Sequence, residues 1–244
     1  MLLCLTTAGM AQVSRLASGN WYRFTVLNDG IYEITGDQLA RAGADLSSID
    51  PSTIKLFAYP TGMLPQANST ARPKDLQEVA VSVITGVQGR FAKSDKVVFF
   101  GQGPDVVSYN PVTRTFDISN HLYSDKNFYF LTFGGIPGKR ISPMPELSGT
   151  LPGVSTYDDF HYSETDKTNI LKSGRDWFGT DFDANTLATF SWDMGRVTTG
   201  SDIRVVTRLM AEAYQDAKFK VTYGTTAAVE YPILAIPQTS YGIK

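Results

Sequence analysis

Few side chains in this sequence have the chemistry of a catalytic or metal site. His121 and His161 are the only histidines, and Cys4 is the only cysteine. Histidine is the usual base near neutral pH, but neither histidine lies near a Gly-x-Ser-x-Gly elbow or a similar nucleophile motif. A zinc site needs clustered donors, which two isolated histidines without cysteines do not supply. The sequence therefore predicts no catalytic residue, no cofactor-binding residue and no metal ligand in this chain.

A weaker metal signal lies in the second half of the chain. The spacing that opens a calcium-binding loop occurs at Asp181, Asp183 and Asn185. The match fails further along, because Thr186 stands where the loop needs a sharp-turn glycine and Trp192 stands where it needs a bidentate glutamate. Two interpretations stay open: a looser calcium site formed by these oxygens with Asp176, and a solvated turn, which we favour.

The aromatic residues offer another kind of site. Trp21, Trp177 and Trp192, together with 12 tyrosines, could line a sugar-binding face in a secreted β protein. Alternation along the predicted strands places most of these aromatics in a core instead, so Trp21, Phe24 and Tyr32 are expected to be structural. A stand-alone secreted β-sandwich module that binds carbohydrate or protein is kept as the alternative function.

Composition excludes one class of partner and favours one class of fold. The chain carries 22 Lys and Arg against 24 Asp and Glu, so it lacks the basic field that nucleic acids select. Its apolar residues fall in short runs between Gly, Pro, Asn and Asp, and it holds 14 Phe and 12 Tyr. We predict a mostly β protein with one short helix and no nucleic-acid partner.

The first residues have the pattern of a secretion signal. Residues 1–11 are apolar and end in small residues at Gly9 and Ala11, although they lack a basic n-region. We expect a signal-peptide remnant and an exported protein. Cleavage after Ala11 would remove Cys4 and leave a mature chain without a thiol or a disulfide.

An N-terminal β domain is predicted over residues 20–135. Residues 20–27 alternate as a strand, Asn28-Asp29-Gly30 marks a turn, and Ile31–Ile34 continues as the second strand of a hairpin. Thr35 and Gln38 have capping-box spacing and predict a helix of about two turns that ends near Gly43. Further strands are expected at residues 53–58, 78–84, 96–100 and 128–133, which together suggest a β-sandwich.

A Pro/Gly-rich linker is predicted over residues 136–155, because its prolines can neither continue a helix nor occupy a central strand. A second β-sandwich domain is predicted over 156–244. Its strand candidates are residues 157–162, 187–192, 203–214, 218–223 and 229–236. Four or five strands are few for a closed sandwich, so the second domain is expected to be partial.

Four segments, in this order and spacing, resemble one known family. They are Trp21–Phe24 with Gly30–Thr35, then Ile54–Phe57, then Asp95–Pro104 with its Phe-Phe-Gly-Gln-Gly-Pro strand end, and finally Leu171–Gly179 with Lys-Ser-Gly-Arg-Asp-Trp-Phe-Gly. Together they resemble the N-terminal region of the type IX secretion system sortases of the Bacteroidetes (the PorU family), which are gingipain-like cysteine peptidases. The resemblance extends from Asn20 to the end.

The resemblance implies an enzyme at the outer membrane of a Gram-negative bacterium that removes the C-terminal sorting domain of exported cargo and joins the cargo to surface lipopolysaccharide. Its catalytic cysteine and histidine lie in a later domain, and no position here matches them. The chain is thus expected to be a non-catalytic N-terminal fragment. Its implied partners are the missing C-terminal peptidase domain, outer-membrane components of the secretion system, and exported cargo.

The segment Gly174–Gly179 has two interpretations. Arg175 can make planar, bidentate contacts, and Trp177 with Phe178 can bury a large apolar area. The segment is either a contact with the peptidase domain or a plug against the N-terminal β domain. We favour the plug, which predicts that Trp177 is buried in this chain alone.

Overall fold

The computed structural model describes residues 13–145, 149, 153–170, 172, 174, 176–182 and 186–237. The chain divides into two compact units, residues 1–151 and 152–244. Antiparallel strands dominate, with one α-helix in the described part, which confirms the mostly β fold class. None of the described helices is long and apolar enough to cross a membrane. The predicted signal-peptide remnant, residues 1–11, lies outside the described residues.

Two antiparallel sheets build the first unit. Its strands are β1 (Tyr22–Val26), β2 (Gly30–Thr35), β3 (Lys55–Ala58), β4 (Gln77–Val79), β5 (Ser82–Ile84), β6 (Lys96–Gly101), β7 (Val106–Asn110), β8 (Thr115–Ser119) and β9 (Asn127–Thr132). One sheet has the order β1-β9-β3-β4 and the other has the order β2-β6-β5. Strands β7 and β8 form a separate hairpin.

A single hydrophobic core joins the two sheets of the first unit. On β6, Val97 and Phe99 are buried, and on β9, Tyr129 and Leu131 are buried, with the period of two that a half-buried strand requires. The rings of Phe99 and Tyr129 lie 5.1 Å apart and connect one sheet to the other. Both sheets turn one face to this core, as in a β-sandwich.

The predicted hairpin at residues 20–34 is wrong. Strand β1 pairs with β9, and β2 pairs with β6, so the chain passes from one sheet to the other at residues 27–29. Val26 and Ile34 nevertheless enter the same core. Alternation of apolar and polar residues identifies the buried face of a strand but not its partner strand. Here β1 and β2 do not pair with each other, and each pairs with a strand that is distant in sequence.

A second crossing divides what the sequence analysis treated as one strand. Residues 78–84 form β4, which pairs with β3, and β5, which pairs with β6 in the other sheet. Val81 lies at the corner between them and is fully buried. A continuous apolar run therefore contains a change of sheet, which its hydrophobic pattern alone does not mark.

The hairpin of β7 and β8 was not predicted. Its turn is closed by the side chain of Asn110, which accepts hydrogen bonds from the backbone amides of Val112 (3.0 Å) and Thr113 (3.2 Å). Arg114 takes a positive φ of 52° to complete the turn. The strands are mostly exposed, so they lack the apolar alternation that reveals a buried strand.

Helix α1 (Gly36–Arg41) confirms the capping-box prediction. The Thr35 side chain accepts from the Gln38 backbone amide at 3.2 Å, and the Gln38 side chain accepts from the Thr35 amide at 2.8 Å. Gly43, with a φ of +92°, ends the helix in the left-handed conformation that glycine adopts without strain. Leu39 is fully buried and attaches the helix to the core.

The described residues of the second unit form fewer strands than predicted. Strands β10 (Ala217–Val221) and β11 (Val229–Ile233) form an antiparallel pair, and an isolated bridge joins Thr168 to Phe178. The strand predictions at 157–162, 187–192 and 203–214 are wrong, because these described residues run without strand pairing. An alternating apolar pattern gives a segment one apolar face that can be buried. It does not provide a neighbouring strand to hydrogen-bond the backbone N–H and C=O groups.

The beginning of the predicted linker packs on the first unit. Arg140 donates from Nη2 to the carbonyl oxygens of Pro51 and Ser52, both at 2.7 Å, and from Nη1 to that of Ile54 at 2.9 Å. Its backbone also bridges Val81 in parallel. Partial burial lowers the pKa of Arg140 from its usual value. The domain boundaries at 135 and 155 themselves stay a prediction.

Candidate functional site

The Phe-Phe-Gly-Gln-Gly-Pro strand end holds the first crossing between sheets. The Gly103 backbone amide donates to Asp29 Oδ1 at 2.8 Å, and the Gln102 amide donates to the Tyr129 hydroxyl at 2.7 Å. A Cβ atom on Gly103 would lie 2.6 Å from the Leu27 carbonyl oxygen. Burial raises the pKa of Tyr129. The motif therefore joins the 27–29 connection to the end of β6, and its residues here serve packing and hydrogen bonding within the fold.

The aromatic side chains of Trp21, just before β1, of Phe24 on β1 and of Tyr32 on β2 have structural contacts, as predicted. Trp21 Nε1 donates to the Ser18 carbonyl oxygen at 2.8 Å, and its ring meets Phe57 edge-on at 5.5 Å. Tyr32 stacks on Phe99 at 5.9 Å between ring centroids. Phe24 packs against the core. All three side chains therefore contribute to the packing of the first unit.

His121 is part of a turn before β9. Its Nδ1 accepts from the backbone amides of Ser124 (3.0 Å) and Tyr123 (3.3 Å), and its own backbone amide donates to Asp105 Oδ1 at 2.8 Å. The imidazole of His121 therefore holds the turn together through its Nδ1 atom. His161 lies exposed in a segment of the second unit that has no strand pairing.

A cleft of about 700 Å³ opens on the first unit beside His121. Its apolar lining is formed mainly by Tyr59, Pro60, Leu64, Pro73, Pro104 and Phe128. Arg72, Lys74 and Lys126 also line it, and none of the described residues that line it is an aspartate or glutamate. This site was not predicted from the sequence. Its cations come from two segments more than fifty positions apart, and only the fold brings them together.

The calcium hypothesis falls partly on residues outside the described ones, namely Asp183 and Asn185. Asp176 and Asp181 are described, and each already has an interaction partner. Within the described ranges, no group of three acidic, histidine or cysteine side chains is placed to hold a metal ion. The loop at Asp181 therefore stays a prediction.

Phe178 and Gly179, at the end of the Lys-Ser-Gly-Arg-Asp-Trp-Phe-Gly motif, are held inside the second unit. Phe178 exchanges backbone hydrogen bonds with Thr168 at 2.8 and 2.9 Å, and a Cβ atom on Gly179 would lie 2.6 Å from Thr165 Oγ1. Trp177 keeps 37% of its surface exposed, and the plug against the N-terminal β domain stays a prediction. Leu171, Ser173 and Arg175 lie outside the described residues.

The second unit presents many apolar side chains to solvent. The exposed apolar set, as we call it, comprises Tyr157, Trp177, Phe190, Trp192, Ile203 and Val206. Within it, the rings of Phe190 and Trp192 stack at 6.1 Å with an interplanar angle of 11°. Exposed aromatic rings such as this stacked pair are enriched at protein–protein interfaces.

Comparison with known proteins gives one informative similarity. No protein-family model and no curated protein matches the chain. Its fold is similar to the crystal structure of dimeric latent PorU from Porphyromonas gingivalis, with a TM-score of 0.53 and 29% sequence identity. The similarity covers 70% of this chain and 15% of the PorU chain, so the chain spans a small part of that protein's length. The chain therefore has a PorU-like N-terminal region, as its four motifs predicted.

Proposed function

We propose that this chain is the non-catalytic, β-rich N-terminal region of a type IX secretion system sortase. The observation that carries the proposal is the similarity to PorU, which extends over 70% of this chain but only 15% of that one. The whole enzyme would remove the C-terminal sorting signal of exported cargo and attach the cargo to surface lipopolysaccharide. Its catalytic residues would lie in a peptidase domain outside this chain.

The proposed physical role of the chain is to contact that peptidase domain through the exposed apolar set of the second unit. Burying large aromatic side chains removes about 150–250 Å² each from water, which stabilises a contact at roughly 25 cal/mol per Å² of apolar surface. Phe190 and Trp192 are about half-exposed and already stacked, so their side chains lose little conformational freedom on docking. We place the protein at the cell surface or outer membrane, together with secretion components and cargo.

Two experiments test this proposal. Reading the gene past the Lys244 codon is expected to show an open reading frame that continues into a cysteine peptidase. An in-frame stop followed by unrelated genes would contradict it and favour a stand-alone binding module. The purified chain is expected to have no peptidase or transpeptidase activity; turnover of a peptide substrate that survives removal of contaminating proteases would also contradict it.

A further inference from the structure

The cleft beside His121 has a charge pattern that the proposed function does not use. Three cations, Arg72, Lys74 and Lys126, line it together with His121, whereas no described carboxylate does. None of the three cations forms an ion pair within the described part of the chain. Asp75, Asp105 and Asp125 are sequence neighbours of lining residues but do not line the cleft themselves, and the carboxylates of Asp75 and Asp105 accept backbone amide protons. The described lining therefore carries three cations and no carboxylate, which favours an anionic ligand.

The walls of this cleft are held in place by hydrogen bonds that need no ligand. The Tyr59 hydroxyl donates to the Pro73 carbonyl oxygen at 2.8 Å, which closes the loop that carries Arg72 and Lys74. The Gly62 amide donates to the Pro104 carbonyl oxygen at 3.2 Å, and Thr61 Oγ1 donates to the Gly103 carbonyl oxygen. A preformed site loses less conformational entropy when it binds than a flexible one does.

The lining chemistry distinguishes between kinds of anion. Phosphate sites are usually built from converging backbone amides or from several arginines. Here the amides of Gly62 and Ser124 are already hydrogen-bonded, and the prolines in the lining carry no N–H group. The cleft instead carries one arginine and two lysines, which lie on two separate segments beside an apolar lining. This pattern is complementary to a ligand chain whose single carboxylates are separated by apolar groups.

We propose that this cleft binds an extended peptide segment in which acidic and apolar side chains alternate. The carboxylates pair with Arg72, Lys74 and Lys126, while the apolar side chains cover Leu64 and the proline rings. The partner is thus a protein segment of that composition. A sugar phosphate is the competing ligand, and the experiment separates the two.

The test is a titration of the full 244-residue chain with a short fluorescein-labelled peptide of alternating glutamate and leucine, followed by fluorescence anisotropy. A peptide of alternating lysine and leucine is the charge-reversed control. The cleft variant combines Arg72→Gln, Lys74→Gln and Lys126→Gln. The matched control combines Lys93→Gln, Lys139→Gln and Lys167→Gln, which removes the same charge from exposed positions that do not line the cleft.

The acidic peptide is expected to bind, with roughly tenfold or greater weakening in the cleft variant and little change in the matched control. Circular dichroism spectra of both variants should match that of the parent chain. Failure of the acidic peptide to bind, equal binding of the basic peptide, or equal weakening in both variants would overturn the proposal. Displacement of the peptide by glucose 1-phosphate at lower concentrations than by unlabelled peptide would overturn it as well, in favour of a sugar phosphate ligand.

Discussion

Replacing Gly103 with alanine tests whether the Phe-Phe-Gly-Gln-Gly-Pro strand end holds the two sheets together. A Cβ atom at this position would lie 2.6 Å from the Leu27 carbonyl oxygen and 3.1 Å from the Asn28 Cα atom. Both are backbone atoms, so no side-chain rotation can relieve the clash. Gly103 does not have a positive φ, and the cost is therefore steric and not conformational.

The magnitude follows from the overpacking. Forcing a methyl group against fixed backbone typically costs about 1–3 kcal/mol, and here the shift would also disturb the 2.8 Å hydrogen bond from Gly103 to Asp29. For a unit of about 150 residues, each kcal/mol lowers the melting temperature by roughly 2–4 °C. We expect Gly103→Ala to lower it by about 2–12 °C, measured by circular dichroism, with a matching fall in the urea midpoint.

Gly86→Ala is the matched control in the same unit. A Cβ atom on Gly86 would meet only Asp95 Oδ1, at an ordinary 3.8 Å, so its effect is expected to stay within about 0.5 kcal/mol. Equal melting temperatures for the two variants would refute the reasoning, because the close contact between the 27–29 connection and Gly103 would then not contribute to stability.

Three further predictions concern the first unit. Arg140→Met removes four charge-assisted hydrogen bonds to backbone carbonyls and should lower the free energy of unfolding by about 2–3 kcal/mol, whereas Lys139→Met should change the urea midpoint little. Trp21→Ala should cost about 1–3 kcal/mol, since the ring is only partly buried, and leave glycan binding on an array unchanged; the opposite pattern would support a carbohydrate module. The backbone amide of Arg15 donates a hydrogen bond to the Asp75 carboxylate and lowers its pKa. The ionised carboxylate therefore stabilises the fold at pH values above its unfolded pKa, which is near 3.8, and this stabilisation is lost as the pH falls through the folded pKa. The stability difference between the parent chain and Asp75→Asn should therefore stay constant above about pH 5 and shrink as the pH falls below about pH 4 in urea titrations; a difference that stays constant over the whole range would contradict this assignment.

Local signals predicted local structure well in this chain. The capping box of Thr35 and Gln38 is formed by side-chain and backbone groups three residues apart. The residue types at these two positions were therefore enough to predict it. Buried strands such as β6 and β9 were found from their short apolar runs. Each of these features depends on residues that are neighbours along the chain.

Long-range choices were not predictable in the same way. Whether β1 pairs with β2 or with β9 depends on competing partners about a hundred residues apart, and the Asn-Asp-Gly turn is compatible with either. The cleft cations were missed for the same reason, since Lys126 meets the Arg72 and Lys74 loop only through the fold. In the second unit, alternation predicted strands at 157–162 and 187–192 that find no partner strand.

The central claim is that the exposed apolar set contacts a peptidase domain, and hydroxyl-radical footprinting tests it most directly. Trp177, Phe190 and Trp192 should oxidise readily in the 244-residue chain and become protected in a longer polypeptide that includes the peptidase domain. Tyr123, which is 82% exposed on the first unit, should react equally in both and serves as the control. Equal oxidation of the three aromatic residues in the two polypeptides would contradict the account.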